Sequence, residues 1–468
     1  MNYLVKEFII QKLQEFIPYD IRHLFYTSIQ FKEFGFKYVY LKLNPTYSSI
    51  YCCSYTEYYN YNNINTGMTF YNYINSQIKT NKQLSVNIYR GSCKMDLSCN
   101  KITDEVVINR LGNCHTLNLS RCEITDEGIK HLGNCHTLNL SGCYITAEGI
   151  KYLGNCHTLN LRYCSKITAE GIKYLGNCHT LNLSSCDNIT EEGIKHLGNC
   201  HTLNLSYCYN ITDECIKYLG NCHTLNLSYC YKITAEGIKY LGNCHTLDLS
   251  NCDKITDECI KHLGNCHTLN LSRCDKITDE GIKYLGNCHT LDLSRCDKIT
   301  DEGIKYLGNC HTLNLSYCDK ITVEGIKHLG NCHTLNLSYC NKIMNEDLKY
   351  LGNCHTLNLS NCYKISDEGL KYLALCHTLN LFECNDITDK GLKYLENCNT
   401  IYLDVSFTKN ITENCIINLG NIFIQVKPLL GYYDSKIQWK PYNKKDYENL
   451  FRCVPTVYNV EQYEYKSW

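Results

Sequence analysis

A motif of about 22 residues that returns many times is the feature that most constrains the fold of this chain. Its clearest form is LGNCHTLNLS, and worn copies precede and follow the regular ones, which brings the total to about 14 units. A fixed period of this length indicates a repeat architecture, in which each unit packs mainly against its neighbours. The copies begin at Leu111, Leu132, Leu153 and Leu175, then continue at a constant spacing up to Leu351, Leu373 and Leu395.

Each unit has a strand half and a helix half. In the segment TLNLS, polar and apolar residues alternate, which places Leu117 and Leu119 on the one buried face of a short strand. In the second half, Thr125 is a good helix N-cap, and Gly133 suits the left-handed position that follows a helix. The apolar residues with helical spacing in this half are Ile124, Ile129 and Leu132.

A strand followed by a helix within so short a unit predicts one turn of a right-handed coil that stacks on the next turn. Buried Leu and Ile side chains stabilise such a unit by about 1.5–3 kcal/mol each. Ordering its backbone costs roughly 1–2 kcal/mol per residue, so a single unit would stay unfolded and only shared interfaces stabilise the array. A column of glycines, whose exceptions include the small residues Cys215 and Cys259, also favours close stacking.

The consensus C-x-x-L-x-L-x-x-C-x-K-I-T-D-E-G-I resembles the cysteine-containing leucine-rich repeat of F-box/LRR proteins, over about residues 95–418. The resemblance implies an α/β fold, a leucine-rich-repeat solenoid of about 14 units, each about 21–24 residues long. Parallel strands would line its concave face and short helices its convex face, with a small helical segment at the N-terminus. The family's usual unit is a few residues longer between the first Cys and the strand, so the curvature is not carried over.

Residues 1–43 are predicted to form two or three helices, including 5–16 and 21–34 with a turn over 17–20 between them, and are similar to a degenerate F-box. The family's opening Leu-Pro is missing and no Trp follows. The resemblance implies that this segment docks on a Skp-type adaptor and, through it, a cullin. The alternative is a plain cap on the open end of the array. The residues that would contact the adaptor are Leu13, Ile17, Pro18, Ile21, Leu24 and Phe25.

The remaining boundaries follow from composition. Residues 44–93 are rich in Tyr and Asn and are interpreted as a connector that could hold vestigial repeats. The leucine-rich-repeat array covers 94–418, and residues 419–468 are predicted to form a C-terminal cap.

The recurring Cys-His pair first suggests a metal site, but the spacing argues against one. Zinc needs four ligand atoms around one point, whereas Cys114 and Cys122 lie at opposite ends of a strand and equivalent thiols form a row. Buried thiols and a structural column of histidines, beginning at His115, are therefore expected, with no metal and no cofactor. Identical groups repeated along an array do not converge as catalysis requires, so no catalytic residue and no enzyme activity are predicted. The Glu127/Lys130 spacing predicts exposed ion pairs on the helices.

One position varies from copy to copy while its neighbours do not. It follows Ser120 and its equivalents and is often Tyr or Arg, the residue types that dominate interface hot spots. On the concave surface it would form a strip roughly 60 Å long, because strands lie about 5 Å apart. Drift at a tolerant site is the alternative. The predicted client-binding residues are Arg121, Tyr163, Tyr207, Tyr229, Arg273, Arg295, Tyr317 and Tyr339.

Composition limits the partners and the compartment. The formal net charge is -1, with acidic and basic residues interspersed, which argues against nucleic acid. No apolar run is long enough to span a membrane, and the charged N-terminal stretch is unlike a secretory signal. The 35 Cys are then most simply reduced thiols of a cytoplasmic protein, with the nucleus as the alternative.

The function implied by the family resemblance is that of a substrate-recognition subunit of a cullin-RING (SCF-type) ubiquitin ligase, with the client protein on the concave face. The alternative is an interaction scaffold with no ubiquitin link. Composition and near-identical repeats are also similar to those of the putative F-box/LRR-repeat proteins of giant DNA viruses of amoebae, which would place the chain in the host cytoplasm.

Overall fold

In a computed structural model of the protein, the part of the chain that can be described is the repeat array with a few short segments on either side. The described residues are 40–43, 50–52, 94–99, 102, 104, 111–112, 114–403, 411–412, 415, 423–426, 432–433 and 439–440. The chain divides into two compact units, the first made of residues 1–204 and 458–468 and the second of residues 205–457.

The first unit is built on short strands: β1 Tyr40–Leu43, β2 Ile50–Cys52, β3 Lys94–Asp96, β4 Thr116–Asn118, β5 Thr137–Asn139, β6 Thr158–Asn160, β7 Thr180–Asn182 and β8 Thr202–Asn204. Strands β3 to β8 pair in chain order, all parallel and in register, so that Leu117 lies opposite Leu138. Strand β1 extends this sheet because it pairs parallel with β3, and β2 pairs antiparallel with β1. From β4 onwards, each strand of this unit is connected to the next strand through one helical turn. These turns are α1 Asp126–Ile129, α2 Ala147–Ile150, α3 Ala169–Ile172 and α4 Glu191–Ile194.

The second unit repeats the same pattern. Its strands are β9 Thr224–Asn226, β10 Thr246–Asp248, β11 Thr268–Asn270, β12 Thr290–Asp292, β13 Thr312–Asn314, β14 Thr334–Asn336, β15 Thr356–Asn358, β16 Thr378–Asn380, β17 Thr400–Leu403, β18 Phe423–Val426, β19 Tyr432–Tyr433 and β20 Trp439–Lys440. Strands β9 to β18 form a parallel sheet in chain order. The last two strands pair antiparallel with each other.

The helices of the second unit are again single turns. They are α5 Asp213–Ile216, α6 Ala235–Ile238, α7 Asp257–Ile260, α8 Asp279–Ile282, α9 Asp301–Ile304, α10 Val323–Ile326, α11 Asp367–Leu370 and α12 Asp389–Leu392. Two 3₁₀ segments, Asn345–Tyr350 and Lys393–Leu395, complete the set in the described part. The leucine-rich-repeat solenoid expected from the sequence is thus confirmed in each unit.

The core is the row of apolar side chains inside each coil. Leu117 and Leu119 are buried, whereas Thr116 and Asn118 on the other face of the strand are half-buried. The isoleucines and leucines of the helix half are buried as well, as is the Cys column that begins at Cys114. This confirms the predicted alternation, since an inward-facing leucine every second residue leaves a polar sheet surface.

A hydrogen-bond ladder links each helix start to the preceding repeat. The carboxylate of Asp257 accepts from the backbone N–H of Thr278 at 2.8 Å and from its hydroxyl at 2.6 Å. The hydroxyl oxygen of Thr278 in turn accepts the N–H of Glu280, which caps the helix. Ala147 takes the place of this aspartate in the repeat before Thr168. There the Thr168 side chain makes no capping hydrogen bond to its helix.

The same aspartates explain the glycine column. A Cβ on Gly281 would lie 2.5 Å from an Asp257 carboxylate oxygen and 3.2 Å from its Cα. Where the preceding repeat has Ala235 instead, the glycine is replaced by Cys259, whose Sγ lies 3.4 Å from the backbone N of Thr256. Glycine is therefore required where an aspartate from the preceding repeat occupies the space.

Two expectations are corrected here. Gly133 is not left-handed, since Gly142 is the glycine with positive φ in the described part of the chain. Gly133 is needed instead because a Cβ would collide with the carbonyl oxygen of Tyr152 in the next repeat. In the 1–43 segment, expected to be helical, residues 40–43 form strand β1. The predicted F-box helices over 5–16 and 21–34, with all six adaptor-contact residues, lie outside the described residues.

Candidate protein-binding surface

The variable position of each repeat lies in the turn that follows the strand. We call these residues the turn column. Each of them has a positive φ between +57° and +71°. Their backbone N–H groups bond to the next repeat, as Arg273 does to the carbonyl oxygen of Ser294 at 2.9 Å. The members are Cys99, Arg121, Gly142, Tyr163, Ser185, Tyr207, Tyr229, Asn251, Arg273, Arg295, Tyr317, Tyr339, Asn361 and Glu383.

This backbone conformation favours glycine. For other residues the left-handed region costs roughly 1–2 kcal/mol, because Cβ crowds the following carbonyl oxygen, and only Gly, Asn and Asp visit it routinely. Yet Gly142 is the one glycine in the column, and Tyr and Arg are frequent. Residues kept in an unfavourable conformation are more often retained for function than for packing.

In the second unit the tyrosines of this column stack in pairs. The ring centroids of Tyr207 and Tyr229 are 4.1 Å apart, and those of Tyr317 and Tyr339 are also 4.1 Å apart. The guanidinium carbon of Arg295 lies 3.8 Å from the centroid of Tyr317. A hydrogen bond with Tyr317, together with burial, raises the pKa of Tyr339 to about 12. The stacks therefore form two aromatic ridges along the turns of the second unit.

The predicted client-binding residues are divided between the two units. Arg121 and Tyr163 belong to the first unit, separated by the repeat that carries Gly142. The other six belong to the second unit, in successive turns of the column interrupted by Asn251: Tyr207, Tyr229, Arg273, Arg295, Tyr317 and Tyr339. The structure thus forms one group of these residues within each unit, and Arg273 is exposed.

A second column of tyrosines lies at the end of each helical turn, and the sequence reasoning missed it. In most of these repeats the Lys before the tyrosine holds its ammonium over the ring, at 5.3 Å from the ring centroid for Lys173 and Tyr174. The alternation of KYLGN and KHLGN between copies was the available signal. We call the exposed tyrosines the helix-end column: Tyr152, Tyr174, Tyr240, Tyr284, Tyr306, Tyr350, Tyr372 and Tyr394.

The helices also carry the predicted ion pairs. Nζ of Lys173 lies 2.6 Å from Oε2 of Glu170, three residues earlier in the chain, and most of the other repeats have an equivalent pair. These pairs are solvent-exposed, so each contributes little to stability.

The histidines form a stacked, exposed column at the start of the strands. Within each unit, neighbouring ring centroids are 4.4–4.6 Å apart and nearly parallel. Nδ1 of each ring contacts the hydroxyl of the next residue, as His267 contacts Thr268 at 3.3 Å. Partial burial and the neighbouring imidazoles lower the pKa of His179, and His267 shows the same shift.

Acidification should therefore destabilise the array. A folded-state pKa below the ordinary value of 6.5 means that the unfolded chain binds more protons, so the stabilising term is present above about pH 6.5 and is lost as pH falls below it. We expect the urea midpoint to fall between about pH 7.5 and pH 5.5. A variant with His267, His311 and His355 changed to Gln should show a smaller decrease. Equal midpoints at both pH values would contradict this expectation.

Apart from the exposed Cys99, the cysteines whose burial the structure describes are buried thiols, as predicted. Sγ–H of Cys274 donates to the carbonyl oxygen of Leu249 at 3.3 Å, and the equivalent bond recurs along the array. Burial raises the pKa of Cys288 to about 12 and that of Cys156 to about 11. The thiolate, which is the nucleophile and the metal ligand, is thus suppressed at neutral pH. In the described part of the chain, no three His, Cys, Asp or Glu side chains are grouped so that they could hold a metal ion.

Comparison with known proteins identifies the repeat. A family model described as "Leucine Rich repeat" matches residues 115–133, 136–154, 267–286, 289–308, 311–330, 355–374 and 377–395. The chain therefore carries leucine-rich repeats, a fold typical of protein-interaction scaffolds. No curated protein sequence matches it.

Two solved structures are similar in fold. An internalin from Listeria monocytogenes aligns with 20% identity and a TM-score of 0.43, over 64% of this chain and 83% of that one. A chain from the yeast Rad7 and Elc1 complex aligns with 19% identity and a TM-score of 0.44, over the same shares. Among the described residues, no helix has the length and apolar character needed to cross a bilayer.

Proposed function

We propose that this leucine-rich-repeat chain is a non-catalytic recognition subunit that binds a client protein through the turn column. The observation that carries the proposal is the left-handed backbone at that column, where Tyr and Arg stand in place of the favoured glycine. The neighbouring Thr, Asn and Ser columns barely vary, so within the strand and the residue that follows it the changes are concentrated in the turn column.

The chemistry of the column supports a protein partner. Tyr and Arg supply large contact area at interface hot spots, and the two tyrosine pairs are already stacked. Preorganised side chains lose little conformational entropy on binding, which leaves more of the contact energy for affinity.

Glycine substitutions test this surface without straining the turn. A chain with Tyr207, Tyr229, Tyr317 and Tyr339 changed to Gly should bind its client at least about tenfold more weakly, because aromatic hot spots contribute about 2 kcal/mol or more. The client would first be identified by affinity purification with mass spectrometry, and the affinity then measured by titration of the purified pair.

The helix-end column provides the matched control. Changing Tyr240, Tyr284, Tyr306 and Tyr372 to Gly removes the same number of tyrosine rings from the helix ends of the repeats, where the rings are exposed, whereas the four rings removed from the turn column are half-buried. We expect this variant to keep its affinity. If the control loses the client and the turn-column variant retains it, the binding surface lies on the helix side.

We further propose that residues 1–43 dock on a Skp-type adaptor, so that the chain acts as the substrate receptor of a cullin-RING ubiquitin ligase. What supports this is the similarity of this segment to an F-box and its position before cysteine-containing repeats. The similarity to proteins of giant viruses would place this assembly in the host cytoplasm.

A truncation tests the adaptor proposal and keeps strand β1. Removal of residues 1–34, or the change of Ile17 and Leu24 to Glu, should abolish co-purification of adaptor and cullin while client binding persists. Binding of the adaptor to the truncated chain, or its failure to bind the full chain, would leave the alternative of a scaffold without a ubiquitin link.

A further inference from the structure

Two unique departures from the repeat lie side by side in the first unit. Gly142 is the one glycine of the turn column. Arg162, in the next repeat, is a cation in the column that elsewhere is Ser, once Phe and, in the last repeat, Asp. The backbone N–H of Gly142 donates to the carbonyl oxygen of Arg162 at 2.8 Å, so the two positions are in direct contact.

Gly142 leaves a gap in the row of turn-column side chains. In the repeats on either side the column has Arg121 and Tyr163. A Cβ on Gly142 would lie 3.3 Å from Cγ of Arg121, so the aliphatic part of that arginine borders the gap. We call this gap, which lies between the side chains of Arg121 and Tyr163, the notch.

Arg162 is held in place but its charge is not neutralised. Its Nη2 donates to the hydroxyl of Tyr163 at 2.7 Å, and its guanidinium carbon lies 4.5 Å from that ring's centroid. Nε is buried and has no hydrogen-bond partner in the described part of the chain. No carboxylate there forms an ion pair with Arg162 or with Arg121.

Two of the three repeats around the notch also lack an acidic residue in the turn that follows the second Cys. Four successive later repeats have Asp at the position after the second Cys, from Asp253 to Asp319, but the two repeats that form the notch have Tyr144 and Ser165. Tyr144 is 78% exposed and uncharged. Of the three repeats that contain Arg121, Gly142 and Arg162, only the first has an acidic residue at this position, namely Glu123.

From this arrangement we infer that Arg121, Gly142, Arg162 and Tyr163 form a carboxylate-binding notch, which takes an Asp or Glu side chain of the bound protein. The inference deepens the proposed function, on which it rests for the nature of the ligand. The guanidinium of Arg162, which has no carboxylate partner in the described part of the chain, gains a charge-assisted hydrogen bond when an acidic side chain enters the gap. The absent turn-column side chain gives that acidic group access.

A peptide titration with the full chain tests the notch. The probes are a fluorescein-labelled octaglutamate peptide and an octaglutamine peptide of equal length, followed by fluorescence anisotropy at low ionic strength. We expect octaglutamate to bind more tightly. R162S, which restores the serine of the other repeats and so keeps the fold, should reduce that affinity about tenfold. G142Y, which fills the gap with a residue common in this column, should do the same.

The control removes an equal charge elsewhere. K276S, in an exposed turn of the second unit, should change the affinity by less than about twofold. An equal loss of octaglutamate affinity in K276S, an unchanged affinity in R162S, or no preference for octaglutamate would each overturn the notch.

Client binding separates the notch from the proposed function. If R162S still binds the client and the turn-column glycine variant does not, the notch is wrong and the turn column remains the client-binding surface. If R162S loses octaglutamate and the glycine variant keeps the client, the notch stands and the turn column is not the client-binding surface.

Discussion

The substitution Gly281→Cys should lower the free energy of unfolding by about 1–3 kcal/mol, the usual cost of overpacking a close contact. The new side chain would begin 2.5 Å from a carboxylate oxygen of Asp257, whose position is fixed by two hydrogen bonds to Thr278. Either the backbone at residue 281 must move away from Asp257, or the hydrogen bonds between Asp257 and Thr278 are lost. Urea denaturation followed by circular dichroism measures the effect.

The double variant makes this prediction specific. Asp257→Ala alone should cost about 1 kcal/mol, because the threonine cap of the next helix loses its orientation. Combined with Gly281→Cys it recreates the Ala235 and Cys259 pair that the chain already contains. The double variant should therefore be more stable than the sum of the two single effects, by about 1 kcal/mol. Simple additivity would show that the aspartate is not what requires the glycine.

One repeat lies outside this relation. Cys415 takes the place of the glycine although the preceding repeat has Asp389. There the ladder bond joins residues further apart in the chain, Thr412 and Asp389, than the equivalent bond between Thr388 and Asp367. Sγ of Cys415 lies 3.8 Å from the carbonyl oxygen of Asp389. The longer connection at the end of the array accommodates the extra atoms.

The larger effect is expected at the core of the sheet. Leu269 is buried, in register between Leu247 and Leu291 of the adjacent strands. Leu269→Ala should cost about 2–5 kcal/mol, because it leaves a cavity shared by three successive coils. Since neighbouring repeats stabilise one another, weakening one interface should let the repeats on its two sides unfold separately. We therefore expect more than one unfolding transition in this variant, which calorimetry would detect.

The control lies one residue earlier on the same strand. Thr268 is half-buried on the polar face of the sheet, so Thr268→Ala should change stability by less than about 0.5 kcal/mol. Comparable losses in both variants would mean that the two faces of the strand are not distinguished by packing.

Local patterns in the sequence were sufficient for the strand, the helix cap and the core. The alternation around Leu117 predicts which side is buried, and Thr125 is the N-cap of α1 because its hydroxyl accepts the N–H of Glu127. Both features depend on neighbours within a few residues, which the sequence shows directly.

The sequence was insufficient where one repeat acts on the next. Gly133 was expected to be left-handed, but what demands glycine there is the carbonyl of Tyr152, one repeat away. The turn column was recognised by its variation, yet its left-handed backbone was not, because Tyr and Arg rarely adopt that conformation. Such contacts depend on how coils stack in register, and no single repeat contains that information.

The link from each aspartate to the following threonine has a consequence for how such an array can grow. The compatible pair, Asp with Gly or Ala with Cys, is divided between adjacent copies, as Asp257 with Gly281 and Ala235 with Cys259 show. A duplicated block of repeats leaves stability unchanged only if both of its junctions carry a compatible pair. The residue at the glycine position of its first repeat must fit the residue at the aspartate position of the repeat before the block. The residue at the aspartate position of its last repeat must likewise fit the glycine position of the repeat after the block. Glycine tolerates either predecessor, so copies that keep it can be inserted at any junction, whereas a copy with cysteine is restricted in where it can be placed.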